Sequence, residues 1–138
     1  MIRKIVLDTD IFTAHLAAKR SEFTALRSAL SEYFCYTTVF NAVELFAAAR
    51  TTREKKTVED VLSSVKILGM NGRNAGKFAG LEGFGRPAIP LEAMIAGICI
   101  EARVPLMTYR SGIYRKYRNL KVVRASRDEV ARGRSTTH

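Results

Sequence analysis

The chain alternates short, strongly apolar runs with longer segments in which apolar residues recur every three or four positions. Runs of the first kind are typical of buried β-strands, and the periodic segments are typical of helices that bury one face. The apolar runs predict strands at residues 3–7, 34–37, 104–108 and 120–123. The periodic segments predict helices at residues 11–17, 21–31, 38–50, 51–66, 74–81 and 90–102. This alternation predicts a three-layer α/β/α fold with a central parallel sheet.

Glycine, proline and polar residues mark the boundaries between these elements. Gly69 and the pair Asn71 and Gly72 predict a break after the fourth helix, and Pro90 suits the first turn of the sixth. From about residue 124 the chain becomes polar. We therefore predict one domain over residues 1–124, followed by a polar C-terminal tail over residues 125–138.

Composition is consistent with an intracellular globular protein. A chain of 138 residues with 47% hydrophobic residues is long enough for one domain with its own core. Cys35 and Cys99 lie in apolar stretches without C-x-x-C spacing, which indicates buried thiols in a reducing compartment. No segment is long and apolar enough for a signal sequence or a membrane span, so we expect a cytoplasmic protein with no membrane partner.

The positive charge is concentrated at one end of the chain. Residues 101–138 carry 10 basic and 3 acidic side chains, which is +7 of the formal net charge of +10. Such a segment favours a polyanionic partner such as nucleic acid, although a solvated basic face has the same composition.

Carboxylates in apolar surroundings are the main chemical signal. Residues 39–49 form a predicted helix whose only polar side chains are Asn41 and Glu44, which lie on one face. A helix this apolar should be buried, and a buried carboxylate is costly unless a cation or strong donors compensate it. Either a metal ion or an arginine would fill that role.

Further acids adjoin other buried elements. Asp8 directly follows the first strand, and ligand sites in parallel sheets lie at the carboxyl ends of strands. Glu92 lies in the first turn of another apolar helix, where the helix dipole alone would also explain an acid. Asp10 is predicted to cap the following helix or to orient ligands. Together, Asp8, Glu44 and Glu92 make an oxygen-only ligand set that suits Mg²⁺ or Mn²⁺.

Other catalytic constellations are poorly supported. His15 and His138 are distant in sequence, and the chain has no glycine-rich phosphate loop, G-x-S-x-G or H-E-x-x-H motif. The acids at positions 8 and 10 are also similar to the nucleophile motif of haloacid-dehalogenase-type phosphatases. That motif usually has Thr or Val where Phe12 stands, and a downstream acidic pair is missing.

Four stretches in order resemble the PIN-domain ribonucleases, specifically the VapC toxins of toxin–antitoxin pairs. They are VLDTD at residues 6–10, NAVEL at 41–45, LEAMIA at 91–96 and VPLMT at 104–108. The resemblance implies a PIN-like fold, a homodimer, a small VapB-like antitoxin and endoribonuclease activity that depends on Mg²⁺ or Mn²⁺. The implied catalytic and metal-binding residues are Asp8, Glu44 and Glu92. Residues that would orient ligands or water are Asp10, Asn41, Thr108, Arg110 and Ser111.

Two departures from the family pattern leave an alternative open. The family usually has Asp where Glu92 stands, and it tends to have an acid or Asn shortly after the position of Thr108, where this chain has Arg110. Arg110 would neutralise the carboxylates, hold the scissile phosphate or point to solvent. The alternative function is therefore a catalytically impaired PIN-fold protein that acts by binding an antitoxin or RNA.

Overall fold

The computed structural model describes residues 3–76 and 89–125. Its strands are β1 (Lys4–Leu7), β2 (Phe34–Thr38), β3 (Lys66–Leu68), β4 (Leu106–Thr108) and β5 (Val122–Arg124). Its longer helices are α1 (Thr9–Ala17), α2 (Ala25–Glu32), α3 (Val39–Ala48), α4 (Thr52–Leu62) and α5 (Leu91–Ala102). Single 3₁₀ turns occupy Gly72–Asn74 and Ser111–Tyr114. The strands form one parallel sheet in the order β3-β2-β1-β4-β5.

The central strand β1 divides the core into two layers. Successive side chains of a strand point to opposite faces, so Ile5 and Leu7 face one side and Val6 faces the other. Ile5 and Leu7 pack in a cluster with apolar residues of α1, α2, α3 and α4. Val6 packs in a second cluster whose members include Ala96 of α5 and Tyr114. The predicted three-layer α/β/α fold is therefore confirmed.

The order of the strands creates a switch point beside β1. From β1 the chain builds β2 and then β3 on one side, and it later returns to build β4 and β5 on the other. In open parallel sheets, such a switch leaves a crevice at the carboxyl ends of the two strands that flank it. Asp8 follows β1 and Thr108 ends β4, so both lie at this edge.

The entry into α3 is held by a buried capping box. The sequence predicts Thr37 or Thr38 as the N-cap of this helix. Thr38 is the N-cap, and its Oγ1 accepts a hydrogen bond from Asn41 N at 3.2 Å. The Asn41 Oδ1 atom accepts from Thr38 N at 3.2 Å and from Thr38 Oγ1 at 2.7 Å. This reciprocal pairing fixes the Asn41 side chain at the start of the helix.

The predicted end of the fourth helix was wrong. We expected a helix through residue 66, but α4 ends at Leu62 and Lys66–Leu68 forms the edge strand β3. Tyr36 in β2 pairs with Lys66, and Thr38 pairs with Leu68. Three residues are too few to show an alternating pattern, so the partner strand and not the local sequence determines this element.

The expectation that α3 is buried all round was also wrong. Val39, Val43 and Phe46 follow a helical spacing of four and three residues and lie on an exposed face, with Val43 57% exposed. The inner face, with Asn41, Ala42 and Leu45, is buried.

Some predictions fall beyond the part of the chain that the structure describes. The predicted helix at residues 74–81 lies outside it from residue 77 onward, and so does the predicted tail after Ala125. Ala125 itself is buried and donates its N–H to Thr108 O at 2.9 Å. Cys35 and Cys99 are buried free thiols, as expected, and burial raises the pKa of Cys35 to about 11. No helix within residues 3–76 and 89–125 has the length and apolar character needed to cross a bilayer.

Replacing Thr38 by Val should destabilise the fold more than the same change at Thr51, the exposed N-cap of α4. Thr51 Oγ1 accepts only from Glu54 N among the hydrogen bonds of its side chain that the structure shows. Loss of that cap should lower the free energy of unfolding by about 1 kcal/mol. Thr38→Val also leaves Asn41 Oδ1 short of a buried donor, so we expect a loss of about 2 kcal/mol or more. Urea unfolding followed by circular dichroism measures both, and equal losses would contradict a special role for the buried box.

Candidate active site

Asp8 is a fully buried carboxylate at the carboxyl end of β1 and the N-cap of α1. Its Oδ1 accepts hydrogen bonds from Thr9 N at 2.9 Å and from Asn41 Nδ2 at 3.0 Å. Its Oδ2 accepts from Thr108 Oγ1 at 2.8 Å and from Tyr114 OH at 3.0 Å. An ionised carboxylate has about four acceptor positions, so these donors together occupy the whole group. They compensate for the loss of water around the charge.

Asp10 does not cap the helix, contrary to one of its two predicted roles. Asp8 caps α1, and Asp10 lies in the first turn, with its side chain turned toward the end of β4. Its Oδ2 accepts from Tyr109 N and from Thr108 Oγ1, each at 3.1 Å. Its Oδ1 is buried and has no hydrogen-bond partner among the described residues. Burial and then the neighbouring charge of Asp8 raise the pKa of Asp10.

The hydroxyl of Thr108 links the two aspartates. It lies 2.8 Å from Asp8 Oδ2 and 3.1 Å from Asp10 Oδ2. A hydroxyl has one proton, so Thr108 donates to one carboxylate at a time. The Arg110 N–H donates to Thr108 Oγ1 at 3.1 Å and thereby holds the oxygen between the acids. Whichever carboxylate does not receive the proton is left with one donor fewer.

The side chain of Arg110 faces the same two acids. One guanidinium nitrogen lies 3.6 Å from Asp8 Oδ2, and Arg110 Nε lies 3.4 Å from Asp10 Oδ2. The side chain is 50% exposed, whereas that of Asp8 has no exposure. Burial by itself would lower the pKa of Arg110, but the charges of Asp8 and Asp10 outweigh it and raise that pKa. The arginine is therefore the positive partner of the acidic pair.

Glu44 joins the aspartates through a chain of hydrogen bonds. Thr9 Oγ1 donates to Glu44 Oε1 at 2.6 Å, and Asn41 Nδ2 donates to Thr9 Oγ1 at 2.9 Å. The same amide nitrogen also donates to Asp8 Oδ1. Asn41 has two amide protons and uses both, so its rotamer is set by Asp8 on one side and by Thr9 on the other.

Glu92 and Ser111 lie on α5 and on the 3₁₀ turn after β4, and not on the elements that carry Asp8, Asp10 and Glu44. Glu92 is half-buried in the first turn of α5, where its charge adds to burial in raising the pKa of Tyr117. Ser111 begins the 3₁₀ turn that carries Tyr114. Within residues 3–76 and 89–125, no three His, Cys, Asp or Glu side chains are grouped so as to hold a metal ion. The joint ligand set of Asp8, Glu44 and Glu92 therefore stays a prediction.

Sequence reasoning missed Tyr114 and the side chain of Thr9. Tyr114 lies 106 positions after Asp8 and is 1% exposed, and only the tertiary fold shows that its hydroxyl meets a carboxylate. A buried tyrosine needs a partner for its hydroxyl, but the local sequence does not indicate which one. Thr9 lies between two candidate acids, but nothing in the local sequence assigns a role to its hydroxyl.

Comparisons with known proteins give structural relatives only. Neither a protein-family model nor a curated protein sequence matches the chain. Among solved structures, a chain of VapBC2 from Rickettsia felis, bound to a promoter DNA fragment, matches with a TM-score of 0.69 and 16% identity. The match covers 89% of this chain and 99% of that one.

Two further toxin–antitoxin structures match over similar lengths. VapBC-1 from nontypeable Haemophilus influenzae has a TM-score of 0.66 and 18% identity, covering 88% of this chain and 97% of that one. VapBC-5 from Mycobacterium tuberculosis has a TM-score of 0.57 and 22% identity, covering 88% and 98%. The fold of this chain is the PIN-domain fold. In this PIN fold, Asp8, Asp10, Asn41 and Thr108 meet at the carboxyl edge of β1 and β4.

Two tyrosines on one short segment test the hydrogen bonds to Asp8. Tyr114→Phe should lower the free energy of unfolding by about 1.5–3 kcal/mol, because it removes a buried donor to a charged acceptor. Tyr117 is the matched control, because its hydroxyl is buried and has no hydrogen-bond partner among the residues described. Tyr117→Phe should therefore leave stability unchanged or raise it slightly. Urea unfolding measures the free energy of unfolding of both variants. A larger loss for Tyr117→Phe than for Tyr114→Phe would contradict the hydrogen bond from Tyr114 to Asp8.

Proposed function

We propose that this protein is a metal-dependent endoribonuclease that acts as the toxin of a toxin–antitoxin pair. The observation that carries the proposal is the fully buried Asp8 at the switch point of a PIN fold, with Asp10 sharing its Thr108 hydroxyl. Carboxylates clustered at such a crevice are typical of catalytic sites, and burial raises the pKa of one of them, Asp10. The PIN fold itself is shared with chains of VapBC complexes.

The donor set fits a hard divalent cation. The facing groups are carboxylate and hydroxyl oxygens, and Asp10 Oδ1 is a buried oxygen without a hydrogen-bond partner in the described part of the chain. Asp8 and Asp10, which share the Thr108 hydroxyl, would hold Mg²⁺ or Mn²⁺, with Glu44 and Glu92 retained as predicted ligands. A bound metal would supply Lewis-acid chemistry, making a water more acidic and neutralising charge on the phosphate.

Other residues of the chain orient these acids and hold the RNA. Asn41 and Thr108 fix the Asp8 carboxylate, because each donates a hydrogen bond to a different oxygen. Arg115 and Lys116 are exposed immediately after Tyr114, which contacts Asp8. We propose that these two side chains contact the RNA backbone beside the site, where each phosphate contact adds affinity that falls with salt.

Removing ligand charge should abolish RNA cleavage. Asp8→Asn and Glu44→Gln keep the side-chain volume and should each lower the cleavage rate by about a hundredfold or more, a change of ~2.7 kcal/mol or more in activation free energy. Excess chelator should stop the wild-type enzyme. Single-turnover cleavage of a labelled RNA measures these rates.

Controls separate chemistry from folding in this test. Asp8→Asn places an amide NH₂ group, which is itself a donor, opposite groups that donate hydrogen bonds to Asp8. Each variant is therefore first checked for folding by circular dichroism. Asp10→Asn is a gentler change, because Asp10 Oδ1 faces no donor among the described residues. Glu59→Gln, an exposed acid on α4, should leave the rate unchanged. Cleavage that persists in excess chelator would rule out a metal-dependent reaction.

A second candidate function is a PIN-fold protein that binds its partner or RNA without cutting. The position of Arg110 favours it, because a guanidinium already faces the acidic pair and donors occupy all the acceptor positions of Asp8. RNA that binds the wild type yet stays intact at saturating Mn²⁺ would support this candidate over the nuclease.

We also propose a small VapB-like antitoxin as partner, since the structural relatives come from VapBC complexes. A C-terminal segment of the partner would cover the acidic pocket, with an Arg or Lys facing the carboxylates. The exposed apolar face of α3, with Val39, Val43 and Phe46, supports contact with another chain, and we propose a homodimer. A cytoplasmic location agrees with these assignments.

The antitoxin should block cleavage by covering the site. Adding a stoichiometric amount of the partner co-produced with this chain should suppress RNA cleavage and slow hydrogen exchange at the backbone amides of Thr9 and Tyr109. Both amides donate to the acids, so a cover over the pocket limits their access to water. Tight binding that leaves the cleavage rate unchanged would argue for a different binding surface.

A further inference from the structure

We propose that Arg110 is the resident cation of the acidic pocket and that a divalent metal ion binds only by displacing its guanidinium. The inference rests on the proposed metal-dependent function and adds a competing occupant to that site. It concerns the Oδ2 atoms of Asp8 and Asp10, because both of these oxygens lie near Arg110.

The distances between Arg110 and the two aspartates indicate an electrostatic contact and not a pair fixed by strong hydrogen bonds. Strong bonds between a guanidinium and a carboxylate have N···O distances of about 2.7–2.9 Å. Arg110 lies 3.6 Å from Asp8 Oδ2 and 3.4 Å from Asp10 Oδ2, each beyond that range. Its side chain is 50% exposed, so water is available to solvate the guanidinium when it leaves. The arginine thus neutralises the acids without being fixed to them.

The hydrogen bonds of Asp8 determine what must move. Thr9 N and Asn41 Nδ2 occupy Oδ1, while Thr108 and Tyr114 occupy Oδ2. Thr108 has a second acceptor, since Asp10 Oδ2 lies 3.1 Å from its hydroxyl. Turning that proton to Asp10 frees one acceptor position on Asp8 Oδ2. Because Arg110 faces this same oxygen, the guanidinium and a metal ion compete for one place.

The charge balance also favours exchange over coexistence. Arg110 faces Asp8 and Asp10, and Glu44 joins them through the Thr9 hydroxyl, so three carboxylates adjoin the site. One guanidinium balances one of these charges, whereas a divalent ion balances two. Two cations beside the same Oδ2 atoms repel each other, so metal affinity should rise when the arginine is removed.

The test is a Mn²⁺ titration of the whole protein without RNA, with free Mn²⁺ measured by electron paramagnetic resonance. Arg110→Gln should bind Mn²⁺ about five- to tenfold more tightly than wild type, the size expected for a partly exposed charge contact. Arg110→Lys keeps the positive charge and should stay within about twofold of wild type. Arg103→Gln is the matched control, because it removes one charge before β4, at the opposite edge of the sheet, and should also stay within about twofold. Unchanged or weaker binding in Arg110→Gln overturns the inference.

A second measurement needs neither metal nor RNA. In excess chelator, Arg110→Gln should lower the melting temperature, because the two aspartates lose their counter-ion. In an Asp10→Asn background, Arg110→Gln should lower the melting temperature by less, since only one carboxylate then loses its counter-ion. An equal loss in both backgrounds overturns the counter-ion contact. If RNA cleavage is absent but this coupling is present, the proposed function fails and the contact stands.

Discussion

A carboxylate without solvent exposure is the constraint around which this site is built. Water would stabilise an exposed aspartate, but for Asp8 the protein itself must supply that stabilisation. The donors come from the first residue of α1, from α3, from the end of β4 and from the 3₁₀ turn after it. The four donor residues lie between 1 and 106 positions from Asp8 in the sequence. Burying Asp8 therefore couples the switch point of the sheet to much of the fold.

The same arrangement sets a balance between stability and chemistry. Neutral donors that fill the acceptor positions of Asp8 stabilise its buried charge, yet a ligand that needs a carboxylate oxygen has to compete with them. Thr108 relaxes this conflict, because its single proton has two acceptors 2.8 and 3.1 Å away. Arg110 makes this competition stronger, because it brings a positive charge to the oxygens that a cation would use. In the proposed metal-dependent enzyme, the acidic pair would thus be a site at which a proton, a guanidinium and a metal ion compete.

Helix α3 serves two purposes with two faces. Its inner face presents Asn41 to Asp8 and Glu44 to Thr9, so it contributes directly to the acidic chain of hydrogen bonds. Its outer face exposes Val39, Val43 and Phe46, which are apolar side chains that favour contact with another protein. The apolar sequence of this helix predicted burial all round, but among the described residues only its inner face, with Ala42 and Leu45, packs into the core.

Sequence alone determined the elements whose pattern is local. Apolar strands flanked by helices predicted the layered parallel sheet, and Asp8 was predicted to lie at a strand end. Thr37 or Thr38 was predicted to cap α3. Each of these features depends on neighbours close along the chain. Tertiary structure alone decided the rest. The edge strand Lys66–Leu68 exists because β2 pairs with it, and Tyr114 meets Asp8 across 106 residues. The orientation of Arg110 was left open among three possibilities, because a flexible side chain is placed by distant charges and not by its own sequence neighbours.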